Sequence, residues 1–384
     1  MARILLTGGR APAALELARV FQRAGHAVFM AESLPHHLSE SSRAIVRNFR
    51  VPPPRQQPHQ YVRAIARIAA EQRIDLIIPT CEEVFYIAAG LPKFGSAAFV
   101  EPLEKLNMLH NKLEFSQLAA KFGLCVAESR AICGEADLQQ AFNDWGKLVL
   151  KPVYSRFAAH TLIRPTREQA LRAVRSAPKT GWLAQKYIPG VQICTYSVSH
   201  RGGLTAHTAY PSRFTAGQGA TIAFEHIDQP QALAWVQRFV EATGFTGQIA
   251  FDFIETVDHQ LYGLECNPRA TSGVHLLASC PDFAAAFLDA ASSAVLPDLG
   301  AAKSMLATAM LVYGLPASIR YSVKAWLSTF STSRDVVFSM DDPLPALLQF
   351  RSILHYLVLA RGNGLTALEA STYDIEWNGE QLQL

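Results

Sequence analysis

The chain has 384 residues and a mass of 42.1 kDa, which is more than one small domain and enough to bury a large core. Hydrophobic residues make up 49% and charged residues 17%, so a disordered chain and a highly charged coiled coil are excluded. A net charge of +3 is too small for a polyanion-binding surface, and no nucleic-acid partner is expected.

Ile4 to Thr7 reads as a buried strand, Gly8-Gly9 as a turn and Ala13 to Ala24 as a helix, with a second strand at His26 to Met30. The short apolar run after Met1 does not suit a signal peptide, and a cytoplasmic location is expected. Gly8-Gly9 lacks the Gly-x-Gly-x-x-Gly spacing of a dinucleotide turn and is read as structural, which leaves an oxidoreductase reading without support. Arg43, Arg47, Arg50 and Arg55 have the spacing of a solvated helix face. A helix at Tyr61 to Glu71 then leads into the apolar run Ile74 to Pro79, of buried parallel-strand type. Repeated βαβ units of this kind imply a small parallel sheet over the first hundred or so residues.

Leu103 to Phe122 reads as one long helix ended by Gly123. Strands follow at Leu148 to Pro152, Thr161 to Arg164 and Leu183 to Ile188, with a helix at Arg167 to Ser176. Val191 to Ser199 and Leu204 to Tyr210 flank a hairpin turn, as do Ile249 to Glu255 and Leu261 to Glu265. Antiparallel pairs of this kind indicate an α+β core. The six cysteines form no Cys-x-x-Cys pair, so neither a zinc site nor a disulfide framework is expected. Met305 to Leu315 is too short to span a membrane.

The second hairpin sets Asp252 on one strand and Glu265 on its neighbour, with Asn267 on the same face as Glu265 by the strand period. Three oxygen-bearing side chains in such a set suit a hard divalent ion that also takes nucleotide phosphates as ligands. Arg269, after Pro268, can grip a carboxylate or a phosphoryl group through paired hydrogen bonds. Lys112 and Lys151 add two positive charges of the kind that bind phosphate. Cys266 faces away from Glu265 and Asn267 by alternation and is read as packing.

Asn111-Lys112, Leu148 to Pro152, Gln185 to Gly190 and Glu265-Cys266-Asn267-Pro268-Arg269, in this order and spacing, resemble the ATP-grasp superfamily. The match looks like its carboxylate-amine ligase branch, and the Asn-Pro-Arg ending is similar to biotin carboxylase and the large subunit of carbamoyl phosphate synthetase. The resemblance covers about residues 1 to 290. It implies an α/β plus α+β fold, with a small parallel-sheet domain at 1–103 and an ATP-grasp domain at 104–292 whose lid spans about 125–190. A mostly helical extension at 293–384 would follow.

The resemblance further implies that Lys112 and Lys151 contact ATP phosphates and that Gln185, Lys186, Tyr187 and Ile188 hold adenine between two lobes. Asp252, Glu265 and Asn267 would bind Mg2+, with Mn2+ as a substitute, and Arg269 would face the acyl phosphate. Arg213 would stand near the transferred phosphoryl group. Gln192 occupies the place of the glutamate that usually binds the ribose, and Val153 to His160 replaces a loop normally rich in glycine and serine. Arg156 or His160 would then substitute for amide donors there. The stretch Thr215 to Thr221 suits either an acyl-substrate loop or an ordinary surface loop.

An apolar helix face at about Pro345 to Arg361 is expected to pack on the core or on a second subunit, giving a homodimer, and Asp374 to Gly379 reads as a strand and turn. The expected activity is ATP-dependent ligation of a carboxylic acid to an amine, with no membrane association. The alternative is an ATP-binding regulatory or scaffold protein without turnover.

Overall fold

The computed structural model describes residues 1–156, 160–176, 181–217, 219–300, 303–320 and 322–382. The N-terminal region is a five-stranded sheet in the order Arg47–Arg50, Ala27–Glu32, Arg3–Thr7, Leu76–Ile78, Ala97–Ala98. Every neighbouring pair in it is parallel. Ile4, Leu5 and Leu6 are wholly buried, as a continuous apolar run on a central parallel strand requires. The helices Pro12–Arg23 and Pro58–Glu71 both open on proline, whose missing N–H is unused in the first helical turn.

The arginine segment departs from expectation. Arg47–Arg50 is the edge strand of the sheet, not a helix face, and the Arg47 guanidinium lies 4.9 Å from the Phe49 ring centroid. Charged side chains on an edge block further strand pairing, so the polar pattern fits a strand end as well as it fits a helix surface. The glycine turn behaves as the sequence suggested. Gly8 has φ +77°, and a Cβ there would fall 2.6 Å from Thr80 Oγ1 and 2.8 Å from Glu83 Oε1. Glu83 Oε1 accepts from the Thr7 hydroxyl and from the Thr80 and Cys81 amides, and its carboxylate would repel a phosphate at this turn.

The expected long helix is two helices, Leu103–His110 and Lys112–Lys121. Asn111 breaks it: with ψ 110° it leaves helical geometry, and its side chain accepts from the Leu113 and Glu114 amides as an N-cap. The apolar period runs through the break, which hid it, but the break puts Lys112 at the first position of a new helix.

Two antiparallel sheets form the middle of the molecule. One is ordered Ser129–Ile132, Trp182–Lys186, Leu148–Pro152, Leu162–Ile163. The other is ordered Gly203–Pro211, Val191–His200, Gly247–Glu255, Leu261–Asn267. Its first hairpin turns at Arg201 and Gly202, with φ +49° and +87°, the left-handed pair that a two-residue turn needs to match strand twist. Behind this sheet, Trp235 and Phe239 of the helix Pro230–Thr243 pack with Phe115 and Phe251. Cys266 is buried in this apolar core, as alternation required. All six cysteines are free.

The C-terminal region adds a three-stranded sheet of Ala223–Glu225, Lys303–Met305 and Arg334–Asp335, followed by the helix Leu344–Asn363. That helix buries only Pro345, Ser352 and Ala360, while Leu347, Leu354 and Val358 stay about two-thirds exposed. Its apolar face therefore does not pack on the core of its own chain. No described helix is long and apolar enough to cross a membrane. Asp374 to Gly379 forms turns and irregular backbone in place of the expected strand. Trp377 explains why: its ring stacks on Phe85 at 5.4 Å, its indole N–H donates to Asn107 Oδ1 at 2.6 Å, and its amide donates to Glu82. The tail thus serves as a plug against the helices behind the N-terminal sheet.

Candidate active-site cleft

A cleft of about 720 Å³ runs between the two antiparallel sheets and on toward the N-terminal sheet and the C-terminal helices. Ten of the twelve residues singled out from sequence line it: Lys151, Gln185, Lys186, Tyr187, Ile188, Gln192, Asp252, Glu265, Asn267 and Arg269. Lys112 reaches the same place from its helix start, and Arg213 does not line the cleft.

The strand register sets the centre. Asp252 and Glu265 are direct cross-strand partners, and Asn267, two residues on, pairs with Ala250. Lys112 Nζ lies 3.7 Å and Lys151 Nζ 3.8 Å from Glu265 Oε2. Each ammonium also donates to a backbone carbonyl, Lys112 to Ser155 at 3.3 Å and Lys151 to Leu264 at 3.4 Å. Both lysines are nearly buried, at 4% and 6% exposure. Burial pushes the Lys151 ammonium down to about 8; the Glu265 charge opposes the shift and that of Lys112 adds to it.

The two carboxyls are pushed apart by their surroundings. Burial, and then the neighbouring Glu265 charge, raise Asp252 above the ordinary carboxylate range. Burial would raise Glu265 too, but Lys112 and Lys151 outweigh it and hold the group low. A crowded pair of this kind has one negative charge more than it can comfortably hold, and a cation relieves it. Among the described residues no three His, Cys, Asp or Glu side chains cluster as a metal cage. Two carboxylates do fit Mg2+, which keeps few protein ligands and takes the rest from phosphate and water. Asn267 is engaged otherwise, its Oδ1 accepting from Arg269 Nη2 at 3.0 Å.

Arg269 is held by its own chain. Nη1 donates to the Ala270 carbonyl at 3.2 Å, and Nε lies 3.7 Å from Glu82 Oε1. The same Glu82 oxygen meets Arg156 Nε at 2.7 Å, so two guanidiniums face one fully buried carboxylate. Burial raises Glu82 despite both arginines. Arg156, expected as a phosphate donor, is thus tied to the N-terminal region. Phe157, Ala158 and Ala159 of its loop lie outside the described residues.

At the proposed adenine hinge, Gln185 is a buried strand residue whose amide donates to Ser129 Oγ at 3.0 Å. Lys186 pairs with Glu128 at 2.8 Å, and the Arg164 guanidinium sits 5.2 Å from the Tyr187 ring centroid. Gln192 lines the cleft from the strand Val191–His200. Arg213 is exposed and paired with Glu225 at 3.0 Å. The stretch Thr215 to Thr221, with Gln218 outside the described residues, forms two short paired strands. Ala216, Gly219, Ala220 and Thr221 of that stretch line the cleft.

Sequence reasoning missed Glu82 and the walls supplied by residues 306–313 and 349–372. Glu82 follows the carboxyl end of the parallel strand Leu76–Ile78, where open α/β sheets place their ligands, and that position was the available signal.

No protein-family model matches the chain, and no curated protein matches it in sequence. Solved structures do resemble it in fold. N5-carboxyaminoimidazole synthetase from Staphylococcus aureus superposes with a TM-score of 0.61 at 12% identity, over 84% of this chain and 87% of that one. Biotin carboxylase from Campylobacter jejuni gives 0.59 at 14% identity, over 73% and 70%. L-amino acid ligase from Bacillus licheniformis gives 0.58 at 16% identity, over 72% and 70%. These are ATP-grasp structures, and the chain has the ATP-grasp fold.

Proposed function

We propose that the protein is an ATP-dependent, ADP-forming ligase that activates a carboxylic acid as an acyl phosphate and passes the acyl group to an amine. The observation that carries the reading is the Asp252–Glu265 pair with two buried lysines within 3.8 Å of Glu265, at one end of a cleft large enough for a nucleotide and a second molecule. The fold shared with the three enzymes above is consistent with it.

Lys112 and Lys151 then turn from Glu265 to the phosphates of ATP, where charge develops as the γ-phosphoryl group leaves ADP. Asp252 and Glu265, with Asn267 if Arg269 releases it, are the residues that would hold Mg2+. The ion supplies neutralisation of charge on the β- and γ-phosphates. Arg269 and Arg156 orient the acid so that its carboxylate oxygen meets phosphorus, and the amine nitrogen later attacks the acyl carbon and expels phosphate.

The test is acid-dependent ADP release from MgATP with hydroxylamine present, since hydroxylamine nitrogen attacks an acyl phosphate and yields a hydroxamate and phosphate. The reading expects one hydroxamate per ADP. MgATP binding without ADP release for any acid supports the regulatory alternative.

A further inference from the structure

A second pair of buried titratable groups, Glu16 and His275, borders the cleft. Glu16 lies on the helix Pro12–Arg23, one turn beyond Pro12 and Ala13, which line the cleft. His275 lies on the short helix Val274–Leu277, and among the described residues it is the only histidine lining the cleft. The wall runs to it from Asn267 and Arg269 through Ser272. His275 Nδ1 stands 3.0 Å from Glu16 Oε2, and both side chains are almost fully buried. Arg334 donates to the same carboxylate oxygen at 2.8 Å. Arg334 and the Ser304 hydroxyl each donate to the His275 carbonyl at 3.4 Å, and the Phe224 ring stacks on the imidazole.

Burial would raise the Glu16 carboxyl, but the His275 hydrogen bond and the Arg334 charge outweigh it and hold the group at about 2. An ionised carboxylate only accepts, so Nδ1 carries the ring hydrogen and, in the neutral imidazole, Nε2 carries the lone pair. Nε2 makes no hydrogen bond among the described residues, and unlike Nε2 of His110 and His207 it is not sealed inside the protein. Arg334 already supplies a counter-charge for Glu16, so the imidazole is not needed as a cation and is left to act through Nε2.

On the ligase reading above, we propose that His275 is the base that readies the amine substrate, with Glu16 as its positioning residue, and that the amine binds where His275 meets the cleft. The substrate is then a primary amine that arrives as its ammonium ion. It gives one proton to Nε2 and so bares its lone pair. The nitrogen bonds to the acyl carbon as the bond from that carbon to the phosphate oxygen breaks. Phosphate leaves with the electron pair and takes the second N–H proton, and the third hydrogen stays on the product amide.

The experiment uses the full chain with MgATP, a panel of acids that includes acetate, benzoate, succinate and the N-acetyl amino acids, and two small nucleophiles. Ammonium ion must be deprotonated before it attacks, whereas hydroxylamine is largely uncharged at neutral pH. The readout is the ratio of kcat/KM for ammonium to that for hydroxylamine, from the amide and hydroxamate formed. It should fall by about a hundredfold in His275→Gln and by about tenfold or more in Glu16→Gln, with the Kd for MgATP within about twofold. Damage to the cleft alone would slow both nucleophiles alike, so an unchanged ratio in either folded variant overturns the inference and leaves the ligase reading standing. Diethyl pyrocarbonate, which acylates a neutral Nε2, tests the unaltered chain and decides where a variant does not fold. It should modify His275 and lower the same ratio by about a hundredfold. His275 left unmodified, or modified with the ratio unchanged, overturns the inference. No ADP release with any acid of the panel, with MgATP still bound, overturns the ligase reading and this inference with it.

Discussion

Two buried charge clusters in this molecule use the same residue types to opposite ends. Around Arg10, Glu32 and Asp374 approach to 2.5 Å on either side, and Ser33 and the Leu34 amide complete the carboxylates' hydrogen bonds. Around Glu265, two lysines stop at 3.7 and 3.8 Å, and Asp252 crowds the same space with its proton affinity raised. The first cluster is saturated and joins the two ends of the chain, so its charges hold the fold. The second leaves cations and anions close but poorly matched, which a structural ion pair has no reason to do. A ligand with phosphate oxygens and a divalent ion would satisfy every member of it.

Substitutions should separate the two clusters by what they damage. Glu265→Gln should lower MgATP-dependent turnover by about two to three orders of magnitude, as loss of a group aimed at transition-state charge does. Its melting temperature should move little, because its contacts are loose; steady-state ADP release and thermal melting check both halves.

Glu32→Gln should do the reverse, costing about 3 kcal/mol of stability by leaving the Arg10 charge half-paired, with MgATP affinity of the folded protein unchanged. Arg10 holds Glu32 at about 2 although burial opposes it. Its folded value is thus below its unfolded one, so the stabilisation is full above the ordinary glutamate range and is lost as pH falls toward about 2. Urea melts from neutral to acid pH should show this loss in the parent chain and a flatter profile in the variant.

Lys151→Ala should weaken ATP binding by about tenfold while adenosine affinity stays within about twofold, because a point charge facing phosphate is removed and the hinge is left alone. Equal losses for the two ligands would make Lys151 structural and collapse the contrast between the clusters. The smallest effect is in pH. Lys151 is pushed down to about 8, so it is charged below that value and loses its proton above it. ATP affinity should therefore decline a few-fold as pH rises through about 8, and calorimetry at several pH values reads it directly.

Much of this arrangement was legible in the residues. The alternation of apolar and polar positions in the second hairpin put Asp252 opposite Glu265, and the structure pairs them directly. Local pattern was less informative where a side chain makes a distant bond. Asn111 divides a helix whose apolar period never falters, and only its capping bonds reveal the break. Arg47–Arg50 pairs with a strand from earlier in the chain, and neither its charge nor its spacing tells a strand edge from a helix face. Arg213, which the resemblance set near the transferred phosphoryl group, pairs with Glu225 and does not line the cleft. Trp377 reads as part of a strand until Phe85 and Asn107, nearly three hundred residues away, are placed beside it. The Glu82 site needed the same long-range information, since its arginine partners come from two other regions.

The central claim is that Asp252, Glu265 and the two lysines form the metal-phosphate site. A crystal structure of the chain with MnADP tests it most directly, because anomalous scattering locates the ion without interpretation. The account predicts a manganese peak within about 2.3 Å of oxygens from both Asp252 and Glu265, with an ADP phosphate against Lys151. An ion held elsewhere, or a nucleotide whose phosphates avoid both lysines, would contradict it.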